Sequence, residues 1–117
     1  MTVTHRVHIQ RAAAEAATRV TGVAGLQPAL ADRLARAVAR PHQAGAAPHR
    51  EGAGIRCEHT ADGGWHVEVR CILRTDRRVV EVARQVCIEV RHAVANYLAQ
   101  HCAADHVTVQ VTVTRTV

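Results

Sequence analysis

Histidine, cysteine and arginine are the residues with which this chain could do chemistry, and their spacing decides how much. Nine histidines and four cysteines stand among its 117 residues. The densest set is His101, Cys102, Asp105 and His106, while His5 and His8 lie one helical turn apart near the amino terminus. Zinc needs ligands converging tetrahedrally, and structural zinc sites show short fixed spacings of cysteine and histidine. No such spacing occurs here. The histidines are expected on the surface, and no metal or cofactor is expected, although a metal-binding ferredoxin-like module stays open as an alternative. Cys57, Cys71 and Cys87 fall on apolar faces and read as small core hydrophobes. Without a Cys-x-x-Cys pair or a signal peptide, the thiols are expected to be reduced. The acidic residues are scattered and form no evident buried pair. No catalytic residue is assigned, because a Cys–His nucleophile would have to be assembled in space.

Every one of the fifteen basic residues is arginine, and the net charge is +5. That balance favours anionic partners such as nucleic acid or phospholipid headgroups. Arg33, Arg36 and Arg40 recur at spacings of three and four, opposite Leu30, Leu34 and Val38. Arg74, Arg77 and Arg78 gather ahead of a longer helical run. Guanidinium forks bind phosphate bidentately, yet the same clusters serve as solvated faces in a chain without lysine. Gly22-Val23-Ala24-Gly25 spells the Gly-x-x-Gly loop that clamps a nucleic-acid backbone in KH domains, between two predicted helices as it would be there. Its centre is apolar, and Trp65 and Tyr97 are both predicted to face inward, which leaves little for base stacking. Nucleic acid is therefore not the expected partner, and a KH-like domain using Gly22–Gly25 is kept as an alternative.

The elements that must position these residues follow from periodicity. Thr4 caps a predicted helix in which Val7, Ile9, Ala12, Ala13, Ala16, Ala17 and Val20 recur at helical spacing. Gly22 ends it, and Val23 to Leu26 forms a short extended piece. Pro28 opens a short helix that stops before Pro41, and residues 41–54 form a loop. Ile55, Cys57 and His59 alternate with polar neighbours; Asp62-Gly63-Gly64 turns the chain; Trp65, Val67, Val69, Cys71 and Leu73 resume the inward face. That is a hairpin with one wet face, bearing His66, Glu68, Arg70 and Arg74. Residues Asp76 to His101 read as a long helix with Val79, Val82, Ala83, Val86, Val90, Ala93, Val94 and Tyr97 on its core stripe. From Val107 to Val117, valine alternates with threonine and glutamine in the clearest strand of the chain. Strand, helix and strand make a crossover, which places the two strands parallel. The expectation is one α+β domain over residues 1–117, a two-layer fold with a small mixed sheet and helices on one side. No apolar run approaches the ~20 residues of a membrane span, so the chain is expected to be cytoplasmic.

Three segments carry a resemblance. Val20-Thr21-Gly22-Val23 after the first helix, Glu81-Val82-Ala83 in the long helix, and Val107-Thr108-Val109 in the last strand resemble the alkaline-shock-protein family, the small envelope stress response proteins of Gram-positive bacteria. Arginine- and alanine-rich composition without lysine fits an actinobacterial member. A Tyr-Gly pair common before the long helix is replaced by Thr75-Asp76, and the usual Thr-Gly-Leu before the last strand is absent. The resemblance implies a non-enzymatic protein of cell-envelope homeostasis, acting through self-association and a membrane-anchored partner, and it carries over no catalytic residues.

Two features of the sequence itself point to a homo-oligomer. The terminal strand alternates over about ten residues, beyond the mean strand length, and has no lysine or proline to blunt an edge; only Arg115 interrupts it. Ile88, Ala95 and Ala99 lie almost opposite the core stripe of the long helix, an apolar track where a solvated helix would be charged.

Overall fold

The structure, a computed structural model, describes residues 2–28, 54–101 and 106–117, with side chains from His5 onward. Six elements run in the order α1 (Thr2–Arg19), β1 (Val23–Leu26), β2 (Ile55–His59), β3 (Trp65–Leu73), α2 (Val79–His101) and β4 (Val107–Thr116). The expected short helix after Pro28, with Arg33, Arg36 and Arg40, and nearly all of the 41–54 loop lie outside the described residues.

β3 is the centre of the sheet. One of its edges carries two short antiparallel strands end to end, β2 opposite Trp65 to Val69 and β1 opposite Cys71 to Leu73. The other edge carries β4 in parallel along the full length, from Trp65 opposite Val107 to Leu73 opposite Thr116. The sheet is therefore mixed, and the crossover through α2 joins the parallel pair.

Both helices cover one face of this sheet. Strict alternation buries Trp65, Val67, Val69, Cys71 and Leu73 beneath them, while His66, Glu68, Arg70 and Ile72 remain half-buried on the other face. From α1 come Ile9, Ala13 and Ala17, with Val20 just beyond its end, and from α2 Val82, Val86, Val90, Val94 and Leu98. A core without phenylalanine closes because Ala13 and Ala17, both fully buried, let α1 approach its neighbours closely. Leu98 continues the four-residue stripe, a position that reading the stripe only as far as Tyr97 overlooks. Val7, expected on the inner stripe of α1, is instead 47% exposed. Helical positions 7 and 9 differ by about 200° of rotation, so only Ile9 can share the face of Ala13 and Ala17.

The joints are glycine-dependent. Gly22 has φ +104° and is buried so closely that a Cβ would stand 2.9 Å from a Val82 methyl. Its carbonyl accepts a 2.8 Å bond from the Arg74 N–H, which ties the end of α1 to the end of β3. At the hairpin, Thr60 N–H donates to the Gly64 carbonyl at 2.9 Å, and Gly64 N–H donates to the Thr60 hydroxyl at 3.0 Å.

Candidate functional site

Val107 to Thr116 make β4 the longest strand, and among the described residues it pairs with β3 alone. Its valines at 107, 109, 111 and 113 face the helix layer but stay half-buried, and Thr108 and Gln110 are exposed. A long strand with no charge before Arg115 and with one edge unpaired among the described residues is a template for further pairing. α2 lies over it: the Cys87 thiol stands 3.9 Å from the Val109 carbonyl oxygen, and an Arg91 nitrogen is 3.9 Å from the same sulfur. Ile88 is 50% exposed and Ala95 and Ala99 are exposed, so the apolar track read from sequence does face outward.

A second cluster joins the amino-terminal turns of α1 to the carboxy-terminal turn of α2. His5 Nδ1 lies 2.8 Å from the Tyr97 hydroxyl. The His8 ring stacks on Tyr97 with centroids 5.6 Å apart, and His101 stacks at 4.4 Å. His101 Nδ1 is also 3.0 Å from the Tyr97 carbonyl oxygen. Tyr97 thus sits among three imidazoles that sequence separates into two distant sets. The rings use their polar and π surfaces on the phenol, and no group of three histidine, cysteine or acidic side chains among the described residues is placed to hold a metal ion.

The set His101, Cys102, Asp105 and His106 is divided. Cys102 and Asp105 lie outside the described residues, His101 belongs to the Tyr97 cluster, and His106 belongs to the hairpin. There the His106 ring lies over Gly64, where a Cβ would come within 2.6 Å of it, and His106 Nε2 is 3.3 Å from an Asp62 carboxylate oxygen. The Thr60 hydroxyl donates to Asp62, and that bond is the main cause holding the Asp62 carboxyl below its usual range, with His106 a smaller one. The hairpin turn and the start of β4 are thereby fastened together.

The Cys57 and Cys71 thiols are not poised for attack. Burial pushes Cys57 up to about 12, partly offset by Arg6, and burial also raises Cys71. A nucleophilic cysteine needs the opposite shift. The Gly-x-x-Gly reading also changes in three dimensions. Gly22 is buried under Val82, and Val23 to Leu26 is strand β1, with Val23 opposite Leu73 and Gly25 opposite Ile72. This segment is a packed strand, not a loop presenting its backbone to a ligand. Of the arginine clusters, the one before α2 is exposed, with Arg78 3.6 Å from Glu81 and the Arg77 stem packed beside Gly22.

Comparison with known proteins returns a likeness in shape only. No family model matches the chain, and no curated protein matches it. Among solved structures, a singly substituted MamM CTD superposes with a TM-score of 0.51 at 16% identity, covering 96% of each chain. A triply substituted form of the same domain gives 0.51 at 15% identity, again over 96% of each. At these identities the likeness establishes a shared α+β fold and nothing about chemistry. The domains named are MamM CTDs and not alkaline-shock proteins.

Proposed function

We propose that this chain is a non-enzymatic assembly domain that associates with itself and docks on a membrane-anchored partner in cell-envelope homeostasis. The observation that carries the self-association is the outer edge of β4, which has no strand partner among the described residues and is long, uncharged over its centre and half-exposed on its valine row. The envelope role rests on the alkaline-shock resemblance. Its support is that the three resembling segments fall at the structural joints: Val20 to Val23 spans the buried Gly22 turn, Glu81 to Ala83 is the start of α2, and Val107 to Val109 is the start of β4. The protonated state of Cys57 and Cys71 favours a role without covalent catalysis. No helix among the described residues is long and apolar enough to cross a membrane.

Light scattering over a wide concentration range should give a species heavier than the 12.7 kDa chain. Capture from the native cell should recover a membrane-anchored protein whose deletion shifts the chain out of the membrane fraction. A chain that stays wholly outside that fraction under envelope stress would remove the second half of the reading.

A second reading, a metal-binding ferredoxin-like module, is favoured by the convergence of His5, His8 and His101 on Tyr97. The comparisons support a module of that shape better than they support the envelope role, since the shared fold is that of the MamM CTD. Metal would have to displace the rings from Tyr97. Calorimetric titration with zinc or nickel, repeated on His101→Ala, decides it: one equivalent lost with that substitution would put this reading first.

A further inference from the structure

The core of β4 reads identically in both directions. Val107-Thr108-Val109-Gln110-Val111-Thr112-Val113 is symmetric about Gln110. A strand pairing antiparallel with its own copy meets that copy in reverse order, so a mirror-symmetric run sets each residue type opposite itself. We infer that β4 is the seam of a two-fold homodimer whose axis passes at Gln110. This rests on the self-association reading above and names its surface, its register and its partner, a second copy of this chain.

Backbone phase supports that register independently of side chains. Trp65 lies opposite Val107, and its N–H donates to the His106 carbonyl at 3.0 Å. In a parallel ladder, this phase turns the N–H and C=O of residues 106, 108, 110 and 112 toward β3. It turns those of Val107, Val109, Val111 and Val113 outward. The Cys87 thiol approaching the Val109 carbonyl oxygen agrees with that oxygen lying off the ladder. With the axis at Gln110, outward residues meet outward residues. Val107 stands opposite the partner's Val113, and Val109 opposite the partner's Val111. Each such pair exchanges two backbone bonds, so the seam gains about eight. A slip of one residue would face outward groups with inward ones and send valines to the wrong side.

The side chains suit the same arrangement. The valine row, half-buried in one chain, would become continuous beneath the helix layers of both. On the open face Thr108 meets the partner's Thr112, and Gln110 meets the partner's Gln110, so no like charges are opposed. Arg115, the only charge in β4, lies beyond the symmetric run and past the irregularity in pairing after Cys71. Because α2 packs over β4 through Cys87, both copies of α2 would lie on one side of the joined sheet.

The test uses the whole chain in sedimentation equilibrium. Wild type is expected to dimerise. Gln110→Lys, opposing like charges on the axis, should raise the dissociation constant about tenfold while leaving the exposed position's fold intact. Mixing it with Gln110→Glu should restore the dimer. Gln110→Cys should cross-link beyond the wild-type background, because non-hydrogen-bonded antiparallel pairs bring Cα atoms within about 4.5 Å, inside disulfide range. A wild type that stays at 12.7 kDa overturns both the seam and the self-association reading. A wild-type dimer that Gln110→Lys leaves intact and Gln110→Cys does not cross-link overturns the seam alone. It would then move the interface to the outer track of α2, where Ile88→Glu should dissolve it.

Discussion

The two edges of β3 carry strands of opposite character. On one side, β2 has five residues and β1 four, and Arg56, Glu58 and His59 of β2 are exposed. On the other, β4 has ten residues and no charge before Arg115. Short strands bearing charge are a common way to stop sheets from growing, and a long uncharged strand lacks that protection. What differs is what lies beyond each strand. β2 is constrained by a turn that Asp62, Thr60 and Gly64 lock to its neighbour, whereas the outward valine backbone of β4 has no strand partner among the described residues.

The strongest way to break this comparison is a proline placed on either side of one rung. Val69 is fully buried in β3, opposite Ile55 of β2 and Val111 of β4. Val69→Pro removes a ladder bond in mid-sheet and should cost at least about 3 kcal/mol in urea unfolding. Val111→Pro loses an N–H that points away from β3, and should cost about 1 kcal/mol or less while abolishing association. Equal losses would mean that the outer edge of β4 is already engaged within the chain.

A smaller effect concerns the thiol buried in β2. Burial raises Cys57 from 9.0 to about 12. An acid whose folded pKa exceeds its unfolded one contributes stability that is full below the unfolded value. That contribution is lost as pH rises from about 9 towards about 12. Urea unfolding across this window should show stability falling with pH, with a shallower slope in Cys57→Ala. An unchanged slope would mean that the thiolate is accommodated in the folded chain. The smallest effect lies at the turn. Thr60→Val should raise the Asp62 carboxyl towards 3.8 in an NMR titration, and by more than His106→Ala does, because the Thr60 bond is the larger cause. The sign is that of a depressed carboxyl: its contribution holds above the unfolded value and is lost as pH falls through the folded one.

Much of the fold was legible because periodicity and burial coincide. The alternation of β3 and β4, the Asp-Gly-Gly turn and the valine stripe of α2 each depend on neighbours a few residues away. The candidate interaction surface was half legible: Ile88, Ala95 and Ala99 could be placed opposite the core stripe by helix geometry alone. The histidine cluster was not legible, since His5 and Tyr97 are 92 residues apart and meet only where α1 crosses the end of α2. A tyrosine one turn before His101 was the local sign of it. The Gly-x-x-Gly motif was ambiguous in sequence because the same four letters serve a clamp loop or the start of a strand; its apolar centre pointed to the packed reading, and the burial of Gly22 agrees with it.

What the sequence determined by itself was local: where helices and strands form, which faces are apolar, that a glycine must end α1, and that the middle of β4 is mirror-symmetric. Those properties arise from side-chain spacing along a regular backbone. The tertiary structure alone decided which strand lies at an edge, which backbone groups point outward from it, and which distant histidines share one tyrosine. Each of these depends on the packing of α1 and α2 over β3, a contact between segments that have no local means of specifying one another.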